Sequence, residues 1–89
     1  MPPMADNPIE IDARDLLCPL PVLRLRRVLN GAPEAAEVVL LATDAAAILD
    51  VPHFCAEAGH KFLGSRDLGD GAREYRVRRG PGAGRTAQA

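Results

Sequence analysis

The chain reads as a two-layer α/β (α+β) sandwich, with a four-stranded sheet carrying two helices on one face. Three observations predict it. Stretches with the two-residue period of strands alternate with longer stretches at helical spacing, in the order β-α-β-α-β-β. Gly69-Asp70-Gly71 separates the last two strands as a hairpin turn does. In a chain of 89 residues, two helices cannot cover both faces of such a sheet, so they collect on one.

Residues 1–8, rich in Pro and Asp/Asn without periodicity, are expected to be a flexible arm. Ile9-Glu10-Ile11-Asp12 alternates apolar and polar and predicts the first strand. The first helix is expected from Pro19 to Asn30, stopped by Gly31, with Pro21, Val22, Leu25, Val28 and Leu29 on its core face. Glu37–Ala42 is a near-continuous apolar run and predicts a central strand. A strand-helix-strand unit this short implies a right-handed parallel crossover. Asp44 is placed to cap a turn over 45–49. Pro52 predicts a kink or restart of the second helix, with Asp50 as a second cap and Ile48, Val51, Cys55 and Ala58 on one face. Gly59 ends that helix. The third strand begins at Lys61-Phe62-Leu63, and Ala72 to Arg79 predicts the fourth, with Tyr75 and Val77 inward. The domain therefore spans 9–80, and the Gly/Pro-rich 81–89 predicts a disordered tail.

Composition excludes several classes. Trp is absent and Tyr and Phe total three, so the core must be aliphatic. A net charge of -1, from 11 basic and 12 acidic residues, lacks the basic excess of a dedicated nucleic-acid binder. The first residues have neither the charged nor the apolar region of a secretory signal, and no apolar run reaches membrane-spanning length. Two cysteines are too few for a disulfide scaffold, and no Cys/His spacing suggests a metal site. A cytoplasmic location, with no membrane association, is the expectation, since an exposed thiol survives there.

The chemistry concentrates at Leu16-Leu17-Cys18-Pro19-Leu20-Pro21. Pro suits the first helical turn, where amide hydrogens have no intrahelical partner. Pro19 and Pro21 thus place Cys18 at a helix N-terminus, where the dipole favours the thiolate. Asp15 opposes this if its carboxylate lies near the sulfur, and Arg14 in the same loop would offset it. With no Cys-x-x-Cys and no clear His/Asn pair, a thioredoxin-like or protease-like cycle is not expected. A lone nucleophilic cysteine can accept one group and hand it on, and persulfidation is such a reversible state. No metal or organic cofactor is required. Cys55, on the apolar face of the second helix, reads as a structural thiol, the sharper alternative being a disulfide with Cys18.

The same residues resemble a known family. Asp12-Ala13-Arg14 with Cys18-Pro19-Leu20-Pro21, and then Thr43-Asp44 through Asp50-Val51-Pro52-His53-Phe54-Cys55 to Gly59-His60, are similar to the TusA sulfur carriers over Ile9 to Arg79. The resemblance implies a mixed sheet with an antiparallel last strand, and Cys18 as the carrier of sulfane sulfur. It further implies a cysteine desulfurase or rhodanese-like donor and an acceptor protein with a reactive cysteine. The sulfur would serve tRNA 2-thiouridine synthesis, a molybdenum-cofactor pathway or sulfur oxidation. In the family a glycine commonly stands where Asp15 is, and in carriers serving tRNA thiolation a polar residue often stands where Leu20 is.

Helical spacing puts Leu20, Leu23, Arg24 and Arg27 on the side of the first helix away from its core face, toward the cysteine end. They either pack against the neighbouring loop and water or form a docking patch for a partner. Two other functions compete with sulfur transfer. One is a non-catalytic RNA-binding or regulatory domain, against which stand the missing Gly-x-x-Gly clamp and stacking aromatics. The other is a thiol redox sensor.

Overall fold

The computed structural model describes residues 8–81. The elements are β1 (Ile9–Ala13), α1 (Leu20–Gly31), β2 (Glu37–Ala42), α2 (Ala47–Ala58), β3 (Lys61–Gly69) and β4 (Ala72–Arg78). The expected arm falls almost wholly, and the expected tail likewise, outside the described residues.

The sheet order is β1-β2-β4-β3. β1 pairs parallel to β2, with Ile11 beside Leu40, while β4 runs antiparallel to both β2 and β3. The sheet is therefore mixed. The hairpin turn is Asp70-Gly71, with φ of 55° and 80°, the double positive φ that a two-residue turn of matching twist requires.

One apolar layer joins sheet to helices. Ile11, Ala13, Val38, Leu40, Ala42, Tyr75 and Val77 from the sheet pack with Leu25 and Leu29 of α1 and Val51, Phe54 and Cys55 of α2. Among the described residues, the opposite sheet face carries no helix. There the Arg76 guanidinium bonds Glu37 and also approaches Glu74, which Arg66 pairs at 3.3 Å. The aliphatic stem of Arg76 lies in register with Val39, which is buried despite facing away from the helices.

Both helices depart from expectation at their starts. α1 begins at Leu20, with Pro19 as the N-cap rather than the first helical residue and Pro21 in the first turn. Gly31 is the last helical residue, and Ala32 caps it in extended conformation. α2 runs unbroken through Pro52, so Asp50 lies within its first turn and is not a second cap. A proline at 52 removes one helical hydrogen bond, to the carbonyl of Ile48, an exposed residue near the helix start. Ile48 is correspondingly not a core residue; Ala47 and Phe54 take that role with Val51 and Cys55.

Candidate functional site

β1 and β2 are parallel neighbours, and the loops leaving their C-terminal ends are fastened together. In parallel units this is where ligands and reacting groups collect. The Asp15 N–H donates to Thr43 Oγ1 at 2.8 Å, and the Cys18 N–H donates to Asp44 Oδ2. Asp44 Oδ1 meanwhile accepts the Ala46 N–H at 3.2 Å, which shapes the start of α2. Leu16 N–H bonds the Ala13 carbonyl and Leu20 N–H the Leu17 carbonyl, at 3.2 and 2.8 Å. The loop that carries Cys18 is thus pinned at both ends and in the middle.

Cys18 is an exposed free thiol, whereas Cys55 is free and buried. Burial pushes the Cys55 thiol up to about 11, as suits a packing residue. Asp50 reaches across from α2, and the Cys18 S–H donates to its Oδ2 at 3.2 Å. Cys18 sits above a small hollow lined by Pro19, Pro21, Val22, Asp44, Ala47 and Asp50.

This overturns the expectation of a thiolate stabilised by the helix. The Cys18 thiol is pushed above the ordinary thiol range, first by its hydrogen bond to Asp50, then by partial loss of water, then by the charges of Asp50 and Asp44. With Pro19 as N-cap, Cys18 also lies one residue before the cap and two before the first helical residue, farther from the dipole's positive end.

Arg14 does not face the sulfur. Its guanidinium forks onto Asp12, with Nε and a terminal nitrogen at 2.9 and 2.8 Å. That pairing holds the Asp12 carboxyl down at about 2. Asp15 is not among the groups that raise the Cys18 pKa. Its mark on the site is conformational, because its φ is 71°, a left-handed conformation that glycine adopts freely and Asp tolerates.

Leu20, Leu23, Arg24 and Arg27 do come together. With Val28 they form one wall of a groove whose other wall is Glu10, Ile11 and Asp12 of the edge strand β1. Leu20 and Leu23 are each 47% exposed. Arg26, by contrast, lies over the Phe54 ring, 5.8 Å from its centroid, and belongs to the helix packing. The sequence reading missed three more exposed aliphatics in the two segments that meet at the sulfur: Leu17, which precedes Cys18, and Ile48 and Leu49, which precede Asp50. It also missed Asp50 itself as a neighbour of Cys18. Taking Pro52 as a break hid the helical turn that aims the carboxylate.

Comparison with known proteins follows the same lines. The family model described as sulfurtransferase TusA matches residues 9–79. The sulfur carrier protein TusA of Allochromatium vinosum is 35% identical over 66 residues, 74% of this chain and 87% of that protein. The protein of the same name in Pseudomonas syringae pv. syringae is 35% identical over 54 residues, 61% of this chain and 64% of that one. Among solved structures, a SirA-like protein from Desulfitobacterium hafniense has the same fold, with a TM-score of 0.73 at 24% identity, covering 82% of this chain and 99% of that one. This chain belongs to the TusA sulfurtransferase family.

Proposed function

We propose that this protein is a sulfur carrier in which Cys18 takes up sulfane sulfur as a persulfide and passes it to the thiol of another protein. The observation that carries the reading is the placement of Cys18. It is the one exposed thiol among the described residues, held by Asp44 at the C-terminal ends of the two parallel strands. Relatives named as sulfur carriers support it. A thiolate attacks the terminal sulfur of a persulfide as it attacks a disulfide, so uptake and release are the same reaction run in two directions.

A cysteine desulfurase or a rhodanese-like protein is the proposed donor, and a protein with a reactive cysteine the proposed acceptor. Leu20, Leu23, Arg24 and Arg27 are the proposed docking residues, with apolar contact near the sulfur and charge at the rim. Pro19 and Pro21 support Cys18 by fixing the helix start. Among the described residues, no helix is long and apolar enough to cross a membrane. Direct RNA binding finds no support in the open sheet face. Of its arginines, Arg66 and Arg76 are engaged by Glu74 and Glu37 while Arg78 is exposed, and Tyr75 is turned into the core rather than outward for stacking.

The test is a two-step relay. Protein loaded from a donor and then purified should deliver its sulfur to an acceptor thiol, measured as sulfane sulfur released by cyanide before and after transfer. Cys18→Ser should carry none, and Cys55→Ala should carry as much as the wild type. Loading of Cys18→Ser at the wild-type level would contradict the reading.

A further inference from the structure

We propose that Asp50 is a catalytic residue of the transfer: it takes the Cys18 proton as the thiol becomes a nucleophile and returns it when Cys18 becomes the leaving group. This rests on the sulfur-carrier reading above. The geometry separates the two carboxylates at the site. Asp44 has both oxygens committed to backbone N–H groups, those of Cys18 and Ala46. Asp50 Oδ2 has the Cys18 thiol as its side-chain hydrogen-bond donor, at 3.2 Å, within the reach expected of a base contacting a sulfur. Asp50 stands on the first turn of α2, half-buried beside the buried Val51 and Ala47, so its aim is set by a packed helix rather than by a loop.

What is missing from the hollow matters as much. Among the described residues its lining, Pro19, Pro21, Val22, Ala47, Asp44 and Asp50, holds two carboxylates and no His, Lys or Arg. Reactive cysteines are ordinarily activated by a neighbouring cation that stabilises a preformed thiolate. Here the charged neighbours are both negative, so a preformed thiolate is opposed. A carboxylate is also a weaker base than a thiolate, so the proton moves while the new bond forms, not before. That is general-base catalysis, and it needs the base in contact with the sulfur.

The step balances without an oxidant or reductant. In uptake, the Cys18 Sγ attacks the terminal sulfur of a donor persulfide, R–S–SH. The Cys18 S–H proton passes to Asp50, the donor S–S bond breaks, and a new bond joins Sγ to the transferred sulfur. The electron pair leaves on R–S⁻, which takes the proton from Asp50 to become R–SH. Release is the reverse: an acceptor thiol attacks the outer sulfur of Cys18–S–SH, its proton passes through Asp50, and Sγ departs as the thiol.

The experiment compares wild type, Asp50→Asn, Asp50→Glu and Cys18→Ser, all with melting curves as folding controls. Two rates are followed against pH: alkylation by iodoacetamide and sulfur loading from glutathione persulfide, a small donor that bypasses docking. Removing the carboxylate charge should move the alkylation profile of Asp50→Asn to lower pH, so it alkylates faster than wild type near neutrality. Its loading rate should nonetheless fall by about a hundredfold, the lower end of general-base contributions. Asp50→Glu should recover part of it, and the solvent deuterium isotope effect on wild-type loading should vanish in Asp50→Asn. Loading in Asp50→Asn that rises in step with alkylation would overturn the proton role while leaving Cys18 as carrier. Sulfur gained by Cys18→Ser would overturn the carrier reading itself.

Discussion

Cys18 shows how one residue's neighbours reverse a prediction drawn from its place in the chain. The flanking prolines correctly put it at the start of a helix, but the side chains that decide its acidity arrive from residues 26 and 32 positions away. Nothing in the local pattern reveals such a contact. Asp15 shows the opposite case, a residue whose effect is visible only in the backbone. Its φ of 71° is one that glycine holds without strain and β-branched residues resist. Asp15→Gly should leave the melting temperature unchanged or slightly higher, because relief of strain is opposed by the greater freedom of glycine in the unfolded chain. Asp15→Val should destabilise by about 1–2 kcal/mol. Thermal melts of the two variants beside wild type check this, and equal stability for all three would refute it.

At the scale of elements, the regular strands and the core face of α1 were legible, because burial follows the two-residue and helical periods at Tyr75, Val77, Leu25 and Leu29. The start of α2 was not, since Pro52 breaks a pattern in the sequence without breaking the helix. The end of α2 carries its own anchor. Gly59 caps it with φ 85°, and the buried His60 accepts the Gly80 N–H on Nδ1 at 3.2 Å. A side chain at Gly80 would place its Cβ 1.8 Å from the Gly59 carbonyl oxygen, so the two segments meet where only glycine fits. Burial, and then the charge of Arg79, hold the His60 pKa below its ordinary value. The folded protein therefore resists a proton that the unfolded chain accepts below about pH 6.5. This contribution should be fully present above the unfolded-chain value and be lost as pH drops from there through the folded-state value. The melting temperature of wild type should fall more than that of His60→Asn between about pH 7 and 5, the window in which His titrates. Parallel curves would remove His60 from the account.

The groove between α1 and β1 belongs to the same scale. Its apolar wall begins at Leu20, two residues beyond Cys18, and continues through Leu23 and Val28 with Arg24 and Arg27. If a donor protein seats there, Leu23→Asp should slow transfer from that donor several-fold or more, a loss typical of an apolar contact at the centre of an interface. Alkylation of Cys18 should stay near the wild-type rate. Arg24→Glu/Arg27→Glu should slow transfer chiefly at low salt, where surface charges are least screened. Transfer by Leu23→Asp at the wild-type rate would place docking elsewhere, with Leu17, Ile48 and Leu49 the exposed aliphatics left to carry it.

For the whole molecule, a mixed four-stranded sheet with its helices on one face leaves one end of two parallel strands free to present a sulfur. The architecture was legible from the order and period of the elements, and the family from two motif blocks at matching spacing. The acidic setting of the sulfur was not, because it is made by the fold, where the β1–α1 loop meets the start of α2. The central claim is that Cys18 carries sulfur between proteins, and intact mass spectrometry after incubation with cysteine and a desulfurase tests it most directly. The prediction is a gain of one sulfur, mapped to the peptide containing Cys18, lost on treatment with reductant, and absent from Cys18→Ser. No gain in the wild type with a donor shown to be active, or a gain mapped to Cys55, would contradict it.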